Sequence, residues 1–396
     1  MQGPTPKPRK QLARDTDEEH RAATPLELLY DLVFVVAIAQ AAASLHHSIS
    51  GGHVVESIIG YVLVFFAIWW AWMGFTWFAS AFDSDDAPYR LKVGVQMAGL
   101  LALAAGVPAA FEEQDYLLVT IGYSIMRVGL LAQWGRVYRA HPEYRATAGR
   151  YMAGVFVCQL GWISLLAFPA EYWAFGWLVL APLELAVPYW AERVKRSPWH
   201  RHHMAERYGL LTIIVIGESV LAGTLAVQVA IESGHLDGPL MRMIIGAPIV
   251  FFSMWWLYFA RPHHAVLVSR KAAFVWGYTH YLVYASAAAA GAGLAAAIDL
   301  VSDHSKASAL TVGYALTVPI VLYLFGLWLV QFRHACRSTT VHGAFVVAGG
   351  ALLVVPWTGA PVLGSGLVLA VLTTVVVRKQ SVAFPAASAD VNLDAS

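Results

Sequence analysis

Charged residues are scarce in this sequence. Asp, Glu, Lys and Arg make up 13% of its 396 residues, whereas an ordinary soluble domain contains about 25%. Cysteine is scarcer still: Cys158 and Cys336 both lie in or beside apolar runs, so neither a disulfide framework nor a thiolate metal site is expected. The formal net charge of +1 gives no information about a partner. The composition therefore argues against a soluble globular domain.

Apolar residues, at 58%, dominate the chain. A helix needs about 20 mostly apolar residues to cross the hydrocarbon core of a bilayer. Twelve stretches are candidates: 26–46, 54–80, 91–110, 116–138, 150–168, 172–190, 208–231, 240–260, 272–298, 309–332, 341–356 and 361–378. We expect an all-α, polytopic transmembrane bundle of about 12 spans. Because the last two stretches are short, ten or eleven spans remain alternatives.

Lys and Arg accumulate in alternate loops, as they do on the cytoplasmic side of membrane proteins. The basic loops follow every second span, and among the intervening loops only the one with Lys306 breaks the pattern. We therefore expect both termini in the cytoplasm and the chain in the cell inner (plasma) membrane. The polar segments 1–23 and 381–396 are predicted to be disordered cytosolic tails, and neither a signal peptide nor a nucleic-acid-binding surface is expected.

Two halves of the chain resemble each other. ELLYDLVFVVAIAQ opens the segment 24–192, ERYGLLTIIVIGES opens the segment 208–380 after a cytoplasmic linker at 193–207, and each is followed by paired tryptophans, from Trp69 and from Trp255. Six spans per half predict two parallel repeats related by an axis along the membrane normal. The alternative is chance similarity between apolar helices. A tryptophan belt at the membrane interface is the expected role of both Trp-rich stretches.

Three motifs occur in order along the chain: TPLELLYDLVFVVAIAQ, FDSDDAPYRL and ERYGLLTIIVIGESVL. Together they frame nearly its whole length. In these motifs the sequence resembles the bacterial low temperature requirement A (LtrA) family. The resemblance implies a polytopic membrane protein that is associated by name with growth in the cold, and it implies no biochemical activity.

Glu27 and Asp31 lie one helical turn apart in the first span. Thr24 and Glu27 fit a capping box with Pro25 at the first helical position, so Glu27 has either a capping or a functional role. Asp31 lies beyond the first turn, where an ionised carboxylate costs about 2.5 to 3.5 kcal/mol near the bilayer centre. We expect it to face a substrate or ion path, with a structural salt bridge as the alternative.

Glu218 follows Glu206 by 12 residues, which is about 18 Å along a helix, so we expect Glu218 near the midplane. In the repeat alignment Ala39 is opposite Glu218 and Leu210 is opposite Asp31, so each half supplies a carboxylate where the other is apolar. This asymmetry predicts an ion or substrate site at the repeat interface. The alternative is a protonated glutamate that holds two helices together.

Arg127 and His280 are basic residues that we place well inside spans. Arg127 is a candidate counter-ion for Glu218 or Asp31, since buried ions pair where they can. His280 is a candidate proton relay, with a helix–helix hydrogen bond as the alternative. Glu184 lies between Pro182 and Pro188, in a helix expected to be kinked and to line a cavity.

The loop FDSDDAPYRLK carries three carboxylates, Asp83, Asp85 and Asp86. Such a cluster is suited to binding hard cations or to acid catalysis. The same loop carries Arg90 and Lys92, which are candidates for binding a phosphate or a lipid headgroup. The alternative is an acidic turn that caps the next helix. Adjacent histidines also occur in the loops HHSISGGH (46–53) and SPWHRHHM (197–204). We do not expect them to form a metal site, because no cysteine or close set of carboxylates completes the ligands.

We expect the acidic loop, Glu27, Asp31 and Glu206 to line a charged inner vestibule that leads to Glu218.

Three classes of function follow from these residues. The first is a transporter or channel with a proton- or cation-coupled path; the second is an intramembrane enzyme on a lipid or isoprenoid, with Asp83, Asp85 and Asp86 as its catalytic acids; the third is a structural or stress-related protein. No cofactor is indicated. The expected partners are the lipid bilayer and a small ion or lipid-like substrate, with a homo-oligomer as a further alternative.

Overall fold

The computed structural model of the chain describes residues 21–232, 238–267, 269–333, 336 and 338–383. Twelve long helices occupy this part of the chain: α1 Pro25–Gly51, α2 Val54–Phe82, α3 Ala87–Glu112, α4 Leu117–Ala140, α5 Arg145–Leu165, α6 Trp173–Ala191, α7 Arg201–Glu232, α8 Gly238–Phe259, α9 Arg270–Val301, α10 Ala309–Leu327, α11 Thr339–Val354 and α12 Pro361–Ala383. A π-helical stretch, Trp328–Phe332, extends α10. Short 3-10 turns lie at Pro142–Tyr144, Ala170–Tyr172, His263–Val266 and Val355–Thr358.

These helices coincide with the twelve predicted stretches, and the prediction of an all-α membrane protein is confirmed. Within the described residues, ten helices are long and apolar enough to cross a membrane; α5 and α7 complete the set of twelve. Most of the two predicted tails lies outside the described residues. Helix α12 continues to Ala383, so the helical part of the chain extends beyond the predicted boundary at 380.

Contacts between loops define two faces of the bundle. Where α1 begins, Arg21 donates a hydrogen bond to the carbonyl of Ser80 near the end of α2. We call this side the proximal face. Where α1 ends, the backbone N–H of Lys306, in the loop after α9, donates to the carbonyl of Ser50 over 2.7 Å. This second side is the distal face.

Helix α9 is the most completely buried of the candidate spans, and it packs against α1, α7 and α10. Its stretch Ser286–Ile298 consists mainly of alanine and glycine and is buried throughout. Without a hydrophobic driving force between helices in lipid, small side chains stabilise the bundle by letting backbones approach closely. A Cβ atom at Gly293 would lie 2.3 Å from the carbonyl oxygen of Ala315 on α10.

The tryptophans of α2 contradict the predicted interfacial belt. Trp69, Trp70 and Trp72 have exposed fractions of 3%, 5% and 0%, because α2 packs among α1, α3, α4, α7 and α9 rather than facing lipid. Trp255 and Trp256 of α8, in contrast, are 38% and 41% exposed. Of these two tryptophan stretches, the one in α8 therefore has the exposure that an interfacial belt requires.

Candidate functional site

A buried ionic cluster joins α1 to α7. The Arg207 guanidinium donates to Asp31 over 2.6 Å and 3.1 Å, and its Nη1 lies 3.1 Å from Oε1 of Glu27. The Nε2 atom of His203 lies 3.2 Å from the same Glu27 oxygen. All four side chains are at most 1% exposed. Each helix contributes two residues one turn apart, so the two pairs face each other across the helix contact.

Aromatic and backbone groups complete this cluster. The indole N–H of Trp72 donates to Oδ1 of Asp31 over 2.7 Å. Glu27 also closes the predicted capping box, since its carboxylate accepts from the N–H of Thr24 over 2.8 Å while the Thr24 hydroxyl accepts from the N–H of Glu27. The capping alternative for Glu27 is therefore confirmed. Asp31 has the salt bridge that we kept as its alternative role.

Arg21 extends the network to the end of α2. Its guanidinium donates to the carbonyls of Ser80 over 2.7 Å and Ala79 over 3.1 Å, and it lies 3.4 Å from Asp83 and 3.5 Å from Glu27. The side chain is 4% exposed. Arg21 thus belongs to the folded core and not to the predicted N-terminal tail.

On the proximal side, the contact between α1 and α7 is consequently packed. Glu27 and Asp31 are nearly inaccessible and are neutralised by neighbouring cations, whereas Glu206 is half-buried and accepts a hydrogen bond from the N–H of Ala23 over 3.2 Å. The predicted charged vestibule is therefore wrong, because arginines of α7 and of the N-terminal segment close the space that it required.

Glu218 lies instead in a cavity of about 550 Å³ between α1, α7 and α9. It follows Arg207 by 11 residues, so it is displaced by about 16 Å along α7 toward the distal face. The cavity extends to the loop after α9, at Ser302 and His304. The structure thus separates Glu218 from Asp31, although the sequence predicted both along one path.

Polar groups also line the distal part of this cavity. Asp299 interacts with Nε2 of His46 over 2.6 Å and accepts from the Ser50 hydroxyl over 2.8 Å. Within the part of the chain that the structure describes, Glu218 has no hydrogen bond or ion pair, and it is half-buried. Glu218 is therefore the carboxylate of the cavity that is available to a ligand.

Arg127 is not the counter-ion of Glu218 or Asp31. Its guanidinium donates to Glu184 of α6 over 2.8 Å, and Tyr123 bonds to both groups. Arg127 and Glu184 are buried. The prediction failed because a carboxylate lay closer, on the proline-containing helix α6. As expected for that helix, Glu184 and Pro188 line a crevice, but it is only about 50 Å³.

His280 is fully buried, and both of its ring nitrogens have partners. Nδ1 donates to the carbonyl of Trp276 over 2.7 Å, so Nε2 accepts from the Tyr258 hydroxyl over 3.0 Å. These contacts agree with the alternative of a helix–helix hydrogen bond. They leave no free ring nitrogen for the predicted proton relay in this conformation.

The acidic loop does not gather its three carboxylates at one point. Asp85 forms two hydrogen bonds of 2.9 Å with Arg90, Asp86 is bonded to Arg136, and Asp83 belongs to the Arg21 network. Asp86 is also the N-cap of α3 and accepts from the N–H of Tyr89. The loop therefore has the features of the capping turn. Lys92 donates to the carbonyl of Pro88 on the same helix.

Asp86 gives a testable prediction. The bond from Arg136 lowers the pKa of this carboxyl below its usual value of 3.8. Its charge therefore contributes stability at neutral pH, and that contribution is lost as the pH falls below 3.8 toward the lowered pKa. Asp86→Ala removes both the cap and the ion pair, and we expect the free energy of unfolding to fall by about 1 to 2 kcal/mol.

Thermal denaturation of the detergent-purified protein checks this prediction. Asp86→Asn is the matched variant, because asparagine is also a good N-cap. It should lose less stability than Asp86→Ala at pH 7, and its difference from wild type should shrink on acidification. Equal losses for both variants would show that the cap contributes nothing.

The described residues contain no group of three or more His, Cys, Asp or Glu that is arranged to hold a metal ion.

The model of the bacterial low temperature requirement A protein family matches residues 22–377. The chain belongs to the LtrA family. It is also similar to an uncharacterized protein of Rhizobium meliloti (strain 1021), with 29% identity over 258 residues.

The similarity to this Rhizobium protein covers 63% of the chain and 60% of the length of the relative. No solved structure matches the chain. The matched range of the LtrA model begins at residue 22 and therefore includes every residue of the cluster except Arg21. The name of the family states no activity, so the function of this LtrA protein has to be argued from its geometry.

Sequence reasoning missed several contributors to these sites. Arg207 and His203 were attributed to a basic cytoplasmic loop, although their spacing of four residues matches that of Glu27 and Asp31 and was a usable signal for a facing pair. His46, with its partner Asp299 on α9, had no such signal because 253 residues separate the two.

Proposed function

We propose that this LtrA protein is a membrane transporter with a proton- or cation-coupled path, and that Glu218 binds the proton or cation. The observation that carries the proposal is an unpaired carboxylate in a large cavity that extends to one face. On the proximal side, the contact between α1 and α7 is closed by buried ion pairs. A path that is open to one side of the membrane and closed to the other is the arrangement that alternating access requires.

The energetics of Glu218 support this role. An ionised carboxylate within a membrane span is costly unless it is paired or hydrated. Asp31 meets this requirement with Arg207, whereas Glu218 has no such partner among the described residues. A bound proton or cation supplies the missing charge, and the site gains stability when it is occupied.

The orientation of the chain follows from the basic loops. Arg139, Arg145, Arg193 and Lys195 lie in or beside proximal loops, so the proximal face is the cytoplasmic one under the positive-inside rule. Both termini are then cytoplasmic, and the cavity opens to the outside of the inner membrane. The matching contacts of α1 with α3 and of α7 with α9 support two parallel repeats.

The enzyme alternative has no comparable support. Each carboxylate of the loop at Asp83, Asp85 and Asp86 is bonded to a different arginine. Catalysis by this loop would first require these pairs to break. A structural protein without transport remains as an outcome of the following test.

Flux assays in liposomes test the proposal. The purified protein is reconstituted at matched folded amounts, and the movement of protons and of small cations is followed with fluorescent indicators. Glu218→Gln removes the charge and keeps the shape of the side chain, so we expect flux to fall by about tenfold or more, which corresponds to about 1.4 kcal/mol of lost interaction.

Glu56→Gln is the matched control. Glu56 is an exposed carboxylate in the first turn of α2, near the distal end of α1, and it does not line the cavity. Its replacement should leave flux unchanged. If well-folded wild-type protein moves neither protons nor cations, the transport proposal is wrong and the structural alternative takes its place.

A further inference from the structure

We infer that the distal cavity binds an organic cation, namely a small molecule with an ammonium group and an apolar body. This inference rests on the proposed function for the role of the ligand as a transported substrate. The binding site itself is argued from the charge, the wall and the size of the cavity.

The charge of the cavity selects for cations. Glu218 and Asp299 are its carboxylates, and His46 and His304 are its imidazoles. The described residues that line it include no lysine and no arginine, and Lys306 at the distal loop is exposed. Since Asp299 is already bonded to His46 and Ser50, the carboxylate of Glu218 is the one that remains to meet a positive group.

The wall of the cavity is unsuited to a bare metal ion. Hard cations require about six oxygen ligands, whereas the apolar residues of the wall outnumber the polar ones. The apolar residues are Ala39, Ala42, Ala43, Val215, Leu221, Ala288, Gly291, Ala292, Ala295 and Ile298. One free carboxylate beside an alanine surface fits instead a ligand with one positive group and an apolar remainder. Such a ligand gains from burial of its apolar area as well as from its charge.

The size of the cavity agrees with this class of ligand. Its volume of about 550 Å³ lies within the roughly 300 to 1,000 Å³ that is typical of small-molecule sites. A proton or a dehydrated potassium ion would leave most of that space to water. An arylalkylammonium ion fills more of it and places its charge against Glu218.

Equilibrium binding to the full-length protein in lipid nanodiscs tests the inference. The probes are benzyltrimethylammonium, tetramethylammonium, potassium and benzenesulfonate, measured by calorimetry. We expect the affinity to decrease in the order benzyltrimethylammonium, tetramethylammonium, potassium, and benzenesulfonate should not bind. Glu218→Gln should weaken binding of benzyltrimethylammonium by about tenfold or more, and Glu56→Gln should leave it unchanged.

A second variant tests the apolar wall without altering charge. Ala43 lines the cavity and is exposed in it, so Ala43→Phe fills space without a clash in the packed core. It should block benzyltrimethylammonium more strongly than tetramethylammonium. Because this variant retains every charged group, it keeps the inference testable if Glu218→Gln does not fold.

The outcomes distinguish this inference from the proposed function. If no probe binds to folded wild-type protein, or if potassium or benzenesulfonate binds as well as benzyltrimethylammonium, the organic-cation site is wrong even where proton flux is observed. If benzyltrimethylammonium binds in a Glu218-dependent way and liposomes show no flux of protons, small cations or benzyltrimethylammonium itself, the site stands and the transport proposal fails.

Discussion

Arg207→Met is expected to lower the free energy of unfolding by about 3 to 5 kcal/mol, because it leaves buried charges without their partner. Arg207 is fully buried and neutralises Asp31 and Glu27 together. Methionine preserves much of the volume of the side chain, so the loss reports on charge and hydrogen bonds rather than on a cavity. The fraction of monodisperse protein after heating, measured by size-exclusion chromatography, gives the change in stability.

Arg90→Met is the matched control for this prediction. Arg90 also forms two hydrogen bonds with an aspartate, Asp85, but its side chain is 61% exposed. Exposed ion pairs contribute about 0 to 1 kcal/mol, so this variant should resemble wild type. Equal stability of Arg207→Met and Arg90→Met would show that the buried cluster does not hold α1 against α7.

A double variant separates the charge imbalance from the loss of contacts. Asp31→Asn removes one of the buried negative charges that Arg207 neutralises. In the background of Asp31→Asn, the further loss caused by Arg207→Met should be smaller than in wild type, since residues of one network couple by about 0.5 to 3 kcal/mol. Additive losses would indicate that the two side chains do not interact.

The helices of this protein were predictable because each span is a continuous apolar run of the required length. The local features of α1 were predictable for a similar reason, since a capping box needs only residues that are neighbours in sequence. The ion pairs between side chains of different helices were not predictable. Arg127 had several carboxylates within the same range of depth, and only the packing of α4 against α5 and of α5 against α6 brings Glu184 to it.

The burial of the α2 tryptophans shows the same limit. A tryptophan in a span occurs both at lipid interfaces and in the core, and hydropathy does not distinguish the two environments. The packing of α2 among five helices places Trp72 in the core, where its indole N–H bonds to Asp31. The separation of Glu218 from Asp31 likewise depends on how α7 packs against α1. This packing cannot be derived from a single sequence.

Gly99→Ala is expected to destabilise the bundle by about 1 to 3 kcal/mol or more, although it adds a single methyl group. A Cβ atom at Gly99 would lie 2.6 Å from the carbonyl oxygen of Gly122 and 2.8 Å from the N–H nitrogen of Met126. Both are backbone atoms of α4, so no side chain can move aside. Helices α3 and α4 would have to separate, and with them the contact of α3 against α1.

Gly94→Ala, in the same helix, is the control that isolates this crowding. A Cβ atom there would have no neighbour within 4 Å, and the position is exposed. Since alanine favours the helix by roughly 0.5 to 1 kcal/mol over glycine, this variant should be neutral or slightly more stable in the same heating assay. If Gly99→Ala were as stable as Gly94→Ala, the approach of α3 to α4 would not be limited by glycine. The expected opposite signs follow because the same substitution adds an atom to a backbone contact in one case and to free space in the other.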